Sequence, residues 1–375
     1  MTNVSWFTHI RQLKSPKERR EYLETKLSIN LEQIGKHAIS EKNNSCENVI
    51  GSTQIPVGIA GPLVIQDREY YLPLATTEAA LVASVNRGCK AISESKGAVS
   101  IASRVGVTRG PVFKVKSLRE AGSLVKWVER NLKNLDKIAK TMSSHIELTK
   151  IDTSSVGKYV YLRLYFNTEE AMGMNMATIA TDKIAKTIEA KTKSSCISIA
   201  GNYDIDKKPA WLNFVNGRGF KAWAEVIIPA KVVSETLKTT ASKIQEVWLA
   251  KCILGSALSG SMGFNAHYAN IVAAIFIATG QDPAHVVEGS MGITVARELA
   301  NGDLYFSVYL PALMVGTVGG GTKLATQKEA LDLLKVESSQ ELAKVVAGAV
   351  LAGELSLLAS QSAGTLASTH QKLAR

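Results

Sequence analysis

Two adjacent lysines follow two acidic residues in the segment GNYDIDKKPA, at positions 201–210. Lys207 and Lys208 directly follow Asp206, and Pro209 prevents the segment from continuing as a helix. Two ammonium groups on a rigid loop could bind a carboxylate and polarise a carbonyl oxygen together. A charged surface turn has the same composition, so the segment alone leaves both interpretations open.

A single carboxylate, Glu78, lies in the apolar stretch at positions 75–85, for which we predict a helix. Burial there would favour the protonated carboxyl group and make it a proton donor. Further along, Ser84, Asn86 and Arg87 offer a hydroxyl, an amide and a guanidinium group to an anionic ligand. A helix-capping role for the acid is an equally good interpretation.

Two glycine-containing segments are suited to a nucleotide. The run EAMGMNM, at positions 170–176, opens a predicted helix at 170–190, and helix N-termini favour phosphate. The loop VGTVGGGT, at positions 315–322, would expose its backbone to a ring or a phosphate. Neither segment is a Rossmann fingerprint, and closely spaced methionines are also typical of a core.

Two more ionisable residues occupy ambiguous positions. Asp282 follows the apolar stretch at positions 271–278 and precedes a proline, as turn-forming aspartates do. His370 lies near the end of the sequence, where a histidine is commonly solvated. The four cysteines form no CxxC motif and have no histidine partners, so we predict no metal site.

The hydrophobic period predicts an α+β fold with a ferredoxin-like small domain inserted into a larger, helix-rich α+β domain. In the small domain, residues 110–199, the predicted elements are a strand (111–116), a helix (118–138), two strands (146–151 and 159–166), a helix (170–190) and a strand (196–200). The large domain comprises 46–109 and 200–375, with a strand region at 211–231, helices after 243 and a strand pair near 292–311. Residues 1–45 are predicted to form a helical arm, with Ser15 as an N-cap.

Charge and hydropathy narrow the possible partners. The net charge of +11 is spread along the chain without an aromatic-interleaved basic patch, so we expect no nucleic acid. The apolar stretch at 271–278 is shorter than the about 20 residues needed to cross a bilayer, so we expect no membrane. The charged segment at 14–20 is unlike a signal peptide, and we expect a cytoplasmic protein.

Taken in order, these segments resemble the catalytic domain of 3-hydroxy-3-methylglutaryl-CoA (HMG-CoA) reductase. The matching segments are ENVIG (47–51), TTE (76–78), TRGP (108–111), MGMNM (172–176), DKKP (206–209), GFNAH (263–267), GQD (280–282) and GTVGGGT (316–322). Their detail is similar to class I, which includes the eukaryotic and archaeal enzymes. The resemblance implies reduction of (S)-HMG-CoA to mevalonate and CoA, on the mevalonate route to isoprenoid precursors, by two hydride transfers from NADPH.

The resemblance also implies roles for individual residues. Glu78 would supply protons, Lys207 would stabilise the thioester oxygen, Asp282 would hold and tune this pair, and His370 would protonate the departing CoA thiolate. The substrate would be bound by Ser84, Asn86, Arg87, Arg109, Asp206, Lys208 and Asn270. The cofactor would be bound by Glu170, Met172, Gly173, Met174, Asn175, Met176, Gly316, Thr317 and Gly319.

The resemblance further implies a homodimer or homotetramer with the active site at the subunit interface. We expect NADPH as cofactor and NADH as a weaker alternative, because positions 143–145 offer serine and histidine where an arginine would bind the 2′-phosphate. Ala200 replaces a usual serine and the tail at 368–375 is altered, so a CoA-thioester-binding homologue without turnover is the alternative function. A nucleic-acid-binding protein is a third hypothesis without a supporting motif.

Overall fold

A computed structural model describes residues 6–36 and 46–364 and has the predicted α+β class. The helices are α1 (Trp6–Gln12), α2 (Pro16–Leu27), α3 (Glu32–Gly35), α4 (Leu81–Glu94), α5 (Leu118–Arg130), α6 (Leu132–Lys140), α7 (Met174–Lys191), α8 (Trp211–Asn216), α9 (Ala230–Glu235), α10 (Ala241–Trp248), α11 (Ser256–Ser259), α12 (Tyr268–Thr279), α13 (Val286–Gly289), α14 (Ala325–Leu334) and α15 (Ser339–Ser362). A π-helix covers Leu249–Gly255, and 3₁₀ turns cover Pro283–His285 and Gly320–Lys323.

The strands are β1 (Val57–Ile65), β2 (Arg68–Ala75), β3 (Val99–Arg109), β4 (Val112–Lys114), β5 (Glu147–Val156), β6 (Tyr159–Asn167), β7 (Ser195–Ser198), β8 (Gly219–Ile228), β9 (Gly263–Phe264), β10 (Gly292–Glu298) and β11 (Leu304–Leu313). Strands β1 and β2 form a hairpin. The others form one sheet in the order β7-β4-β6-β3-β8-β11-β10-β9, and β5 pairs with β6.

Strand β3 belongs to both halves of this sheet. Its residues 99–106 pair with β8, and its residues 107–109 pair with β6. The register shifts next to Gly106, whose φ of +100° suits a residue without a Cβ. A Cβ there would lie 2.7 Å from the carbonyl oxygen of Phe166. The bulge turns the strand between the halves and leaves Arg109 at their junction.

The larger hydrophobic core surrounds α15, which packs against α4, α12 and the sheet. Helix α15 is long and apolar enough to cross a membrane by length and composition, but 89% of its apolar window is buried inside the fold. It is therefore the central helix of the core. Helix α12 covers the predicted apolar stretch and is also buried, as predicted.

A second hydrophobic core lies between β4, β5 and β6 and helices α5, α6 and α7. Val107 and Met314, from outside the predicted small domain, also pack into it. The antiparallel order β7-β4-β6-β5 is compatible with the ferredoxin-like prediction. The predicted domain boundaries stay a prediction.

Three predicted elements differ from the structure. The helix at 118–138 is interrupted at Asn131, which ends α5 and precedes α6. Helix α7 begins at Met174 rather than at 170, because Glu169 and Gly173 have left-handed backbones that a helix excludes. Trp211 begins a short helix rather than a strand, and Gly217 ends that helix before β8.

Candidate active site

The two predicted lysines lie on the loop between β7 and α8. The ammonium nitrogen of Lys207 is 2.8 Å from Oδ2 of Asp282, which follows α12. The side chains of this pair are 39% and 34% exposed, so a ligand can reach the ammonium group. The structure thus brings together two of the four predicted catalytic residues.

Asp282 is held as a carboxylate. Its Oδ1 accepts the N–H of Ala284 at 3.0 Å and caps the 3₁₀ turn. Partial burial opposes ionisation, but hydrogen bonds from Lys207 and Ala284 outweigh it and lower the pKa of Asp282 below its usual value. The ammonium group of Lys207 is therefore paired with a negative charge, and it could leave this carboxylate to bind another anionic group.

A buried ion-pair network lies behind the lysine loop. Arg218, which directly precedes β8, is fully buried and pairs with Glu288 and, at 3.0 Å, with Asp206. Oε1 of Glu288 also accepts the backbone N–H of Lys207 at 3.4 Å and lies 2.8 Å from Nδ1 of His285. These charge-assisted bonds fix the loop from its inner side.

Two further predicted cations border this loop. Arg109, at the end of β3, pairs with Asp204 at 3.1 Å and approaches Asp206 at 3.5 Å. Lys208 is exposed, and its ammonium group donates to the carbonyl oxygen of Asp206 at 3.2 Å. Both groups have N–H donors that could bind the carboxylate of a substrate.

The predicted cofactor segments lie side by side. The N–H of Thr317 donates to the carbonyl oxygen of Glu170 at 2.8 Å. Gly316 packs so closely that a Cβ there would lie 2.4 Å from the nitrogen of Met172. The carbonyl oxygen of Gly316 accepts the side-chain amide of Gln281 at 3.0 Å. Because Gln281 precedes Asp282, these segments adjoin the Lys207–Asp282 ion pair.

The start of α7 is suited to an anion. Gly173 precedes the helix with φ of +83°, and no side chain caps the first N–H groups. Asn175 is exposed, and Met174 accepts a hydrogen bond at its sulfur from Arg218 at 3.0 Å. Gly319 has open space where a Cβ would lie. The uncapped helix end offers backbone N–H groups of the kind that bind a nucleotide phosphate.

Glu78 lines a different cavity of about 220 Å³, together with Ser84, Arg87, His267 and Ser360. Arg87 donates to the hydroxyl of Ser360 at 2.5 Å. Burial lowers the pKa of its guanidinium group. The cavity has the mixed donors that an anionic ligand needs.

One prediction about this region is wrong. Glu78 is exposed and precedes α4, because Ala75 ends β2 and the left-handed backbone of Ala80 delays the helix to Leu81. It is therefore not a buried helical carboxylate. Asn86 is not among the lining residues, and its side-chain oxygen accepts the N–H of Gly61 at 3.0 Å, so its role in substrate binding stays a prediction.

The two sites lie at opposite ends of α12. His267 precedes this 12-residue helix, and Asp282 follows it. With a rise of about 1.5 Å per residue, the ends are about 18 Å apart. Within the described residues, no hydrogen bond or ion pair joins Glu78 to Lys207 or Asp282. Asp282 was predicted to contact both Glu78 and Lys207, and of these two it contacts only Lys207.

Asn270 is on the first turn of α12, near His267 rather than near Lys207.

Several polar residues were missed from sequence. Arg218, His285 and Glu288 are fully buried, yet nothing in their local sequence marks them as charged partners of the lysine loop. Ligand atoms of Asp206, His285 and Glu288 lie within 4.8 Å of one another, but Arg218 already supplies the positive charge to both carboxylates. His370 lies outside the described residues.

A model of the hydroxymethylglutaryl-coenzyme A reductase family matches residues 15–375. The chain is 47% identical over 368 residues to 3-hydroxy-3-methylglutaryl-coenzyme A reductase of Methanothermobacter thermautotrophicus, covering 95% of this chain and 92% of that protein. It is 44% identical over 339 residues to reductase 2 of Aspergillus fumigatus, covering 87% of this chain and 32% of that protein.

Among solved structures, the class II reductase of Streptococcus pneumoniae bound to NADPH has a TM-score of 0.72 at 19% identity, covering 96% of this chain and 100% of that one. This identity shows the fold alone. The predicted class I likeness is not supported, because the structural neighbour is a class II enzyme. The family match and the 47% identity together show that the chain belongs to the hydroxymethylglutaryl-coenzyme A reductase family.

Proposed function

We propose that the protein reduces (S)-HMG-CoA to mevalonate and CoA, in the mevalonate route to isoprenoid precursors, through two hydride transfers. The observation that carries this proposal is the Lys207–Asp282 pair beside the uncapped start of α7. An accessible ammonium group next to a nucleotide-type site suits the reduction of a carbonyl carbon. The intact pair favours an enzyme over a binding homologue without turnover.

Lys207 is the oxyanion-stabilising group in this proposal. As negative charge develops on the thioester oxygen, the ammonium group turns from Asp282 to that oxygen, so it binds the transition state more strongly than the ground state. Arg109 and Lys208 hold the carboxylate end of the substrate. Their positions beside Asp206 orient the substrate along the loop.

NADPH supplies the hydride when it is bound. Glu170, Met172 and Gly173, with the facing glycine loop, would hold it, and the free N–H groups of α7 would bind its phosphates. The reductase of S. pneumoniae is NADPH-bound, which supports this choice. Nδ1 of His145 is 2.6 Å from a carboxylate oxygen of Glu169, and the ammonium nitrogen of Lys150 is 2.8 Å from one of Asp152, so neither side chain is fully available for a 2′-phosphate. We therefore expect measurable use of NADH.

A second copy of the chain completes the active site. Glu78 cannot meet Lys207 within one chain, because α12 separates their sites. The sheet face opposite α15 is apolar, and none of the described residues covers it: Val99, Ile101 and Trp223 are exposed by 39–57%. Patches of this kind mark protein–protein contacts. In a homodimer or homotetramer joined there, Glu78 of one copy would supply protons beside Lys207 of the other.

The remaining roles stay as predicted from the resemblance. His370 would protonate the CoA thiolate, and Ser84 and Arg87 would bind the CoA side from the second cavity. The domain boundaries at 110–199 and the cytoplasmic location are proposals of the same kind. The two separate hydrophobic cores support the boundaries.

The proposal is tested by adding HMG-CoA to the purified full-length protein and following oxidation of NADPH. We expect two NADPH oxidised per HMG-CoA and a lower kcat/KM with NADH. Lys207→Ala should lower kcat by about 100-fold or more, with KM for HMG-CoA little changed. If the wild-type protein oxidises neither cofactor, the proposed function is wrong.

A further inference from the structure

A buried imidazole stands directly behind the Lys207–Asp282 pair. His285 ends the 3₁₀ turn that Asp282 caps, and its side chain is fully buried. Its Nδ1 is 2.8 Å from Oε1 of Glu288, and its Nε2 is 3.7 Å from Oδ2 of Asp282. Within the described residues this Nε2 has no hydrogen-bond partner. A buried polar atom without a partner is costly, which calls for a reason.

The neighbouring charges assign protons to this ring. Nδ1 lies 2.8 Å from Oε1 of Glu288, which can only accept, and 3.4 Å from Nη1 of Arg218, which can only donate. Because the carboxylate is much nearer, Nδ1 of the imidazole donates to Glu288. At Nε2 a lone pair would be repelled by the Asp282 carboxylate, whereas an N–H would be attracted.

Charge balance supports the same assignment. Three carboxylates surround the ring, those of Asp206, Asp282 and Glu288. Together with Asp204, which shares Arg109 with Asp206, they pair with three cations, Lys207, Arg109 and Arg218. A proton on each ring nitrogen makes the group neutral overall.

We propose that His285 is a positioning residue for Lys207 and that it acts through Asp282. This inference rests on the proposed reduction of HMG-CoA. While Lys207 is bonded to Asp282, the imidazole N–H stays 3.7 Å away. When the ammonium group turns to the thioester oxygen, Nε2–H closes on the carboxylate and replaces the lost hydrogen bond. Asp282 then stays a carboxylate and does not draw Lys207 back.

Two conservative variants test the roles of the two ring nitrogens separately. The amide of His285→Gln reaches the position of Nε2 and can still donate to Asp282, whereas the amide of His285→Asn reaches only the position of Nδ1 and Glu288. We expect His285→Gln to keep kcat within about 3-fold of the wild type. His285→Asn should lower kcat by about 10- to 100-fold, less than the about 100- to 1000-fold loss of a donor that touches the substrate. KM for HMG-CoA should change by less than about 3-fold in both.

The second reduction gives an internal control. The second hydride transfer reduces an aldehyde, mevaldehyde, and in our proposal Lys207 polarises the carbonyl in both steps. His285→Asn should therefore lower kcat equally with HMG-CoA and with added mevaldehyde. Equal activity of the two variants, or a loss confined to HMG-CoA, would overturn the positioning role. Wild-type NADPH oxidation is measured in parallel, and its absence would instead refute the proposed function.

A spectroscopic measurement on the wild type does not depend on the variants folding. In ¹⁵N-histidine spectra of the full chain, the His285 signals should show that Nε2 carries a proton. A ring with a bare Nε2 would overturn the inference. His285 is identified as the signal that both variants lack or, if neither folds, through its contacts with Asp282 and Glu288.

Discussion

Two ion pairs in the candidate site differ in how easily their two charges can separate. The side chains of Lys207 and Asp282 are 39% and 34% exposed, so water screens the pair and it contributes little to stability. Arg218 and Glu288 are fully buried, and breaking such a pair leaves an uncompensated charge. The exposed pair can therefore open toward a substrate, while the buried pair keeps the loop in place.

Replacing Glu288 by Gln should destabilise the fold. Arg218 would keep Asp206 but lose its buried carboxylate partner, and we expect the free energy of unfolding to fall by roughly 3 kcal/mol or more. Asp332→Asn is the matched control, because its pair with Lys328 on α14 is exposed. Urea unfolding of both variants measures the difference. Equal stabilities would mean that the buried pair contributes nothing net.

Asp282 should make stability depend on pH in acid. Its pKa is lower in the folded protein than the usual value of 3.8, so the folded state binds this proton less readily than the unfolded chain. The resulting stabilisation is fully present above the usual value and is lost as pH falls through the lower, folded value. The stability difference between wild type and Asp282→Asn should therefore shrink as pH falls below about 4. A difference that grows in acid would contradict the assigned direction.

At the scale of elements, α4 and α15 form the wall of the second cavity. Arg87 on α4 donates to the carbonyl oxygen of Ser356 on α15 at 2.5 Å, and Ser84 bonds to the hydroxyl of Ser356 at 3.0 Å. The helices approach this closely at Gly88, where a Cβ would lie 1.9 Å from the carbonyl oxygen of Ala352. The glycine thus sets the distance across which these side chains meet.

Gly88→Ala should destabilise the protein and weaken HMG-CoA binding, although alanine favours a helix by about 1 kcal/mol. The backbone clash forces α4 away from α15, so we expect a net loss of about 1–3 kcal/mol, as for other overpacked sites, and a raised KM. Gly122→Ala on α5 is the control, because its Cβ would meet nothing within 4 Å. That variant should be as stable as the wild type or slightly more. Similar behaviour of the two would mean that the helices can separate freely.

At the scale of the whole molecule, α12 keeps the Glu78 cavity and the Lys207 loop apart. His267, which lines the cavity, directly precedes this buried helix, and Asp282, the partner of Lys207, follows it, so the helix holds the two sites about 18 Å apart. Association of two chains through the exposed apolar sheet face is the arrangement that unites them in our proposal.

Glu78→Gln and Lys207→Ala should each be inactive alone and should complement each other when subunits are exchanged. In a mixed dimer one site carries both changes and the other carries neither. With random exchange, half the dimers are mixed, so about 25% of wild-type activity should return. The same variants mixed without exchange are the control. No recovery after confirmed exchange would mean that each site lies within one chain.

Much of the fold could be predicted from local sequence. The periodicity of 111–199 predicted its strands and helices to within a few residues, because apolar spacing reports which face is buried. The apolar stretch that became α12 was recognised as a core helix. The break at Asn131 and the turn before α7 escaped prediction, since local backbone conformations there override the hydrophobic pattern.

By itself, the sequence determined the family likeness and the reactive residue types, because Lys207, Asp282 and the glycine segments stand in short contiguous motifs. Only the tertiary structure decided which of these groups meet. It paired Lys207 with Asp282, left Glu78 exposed at the far end of α12, and placed Arg218 and Glu288 behind the loop. The physical reason is that contacts between distant segments depend on how helices and strands pack. The local sequence around a buried charged residue does not indicate which distant residue it pairs with.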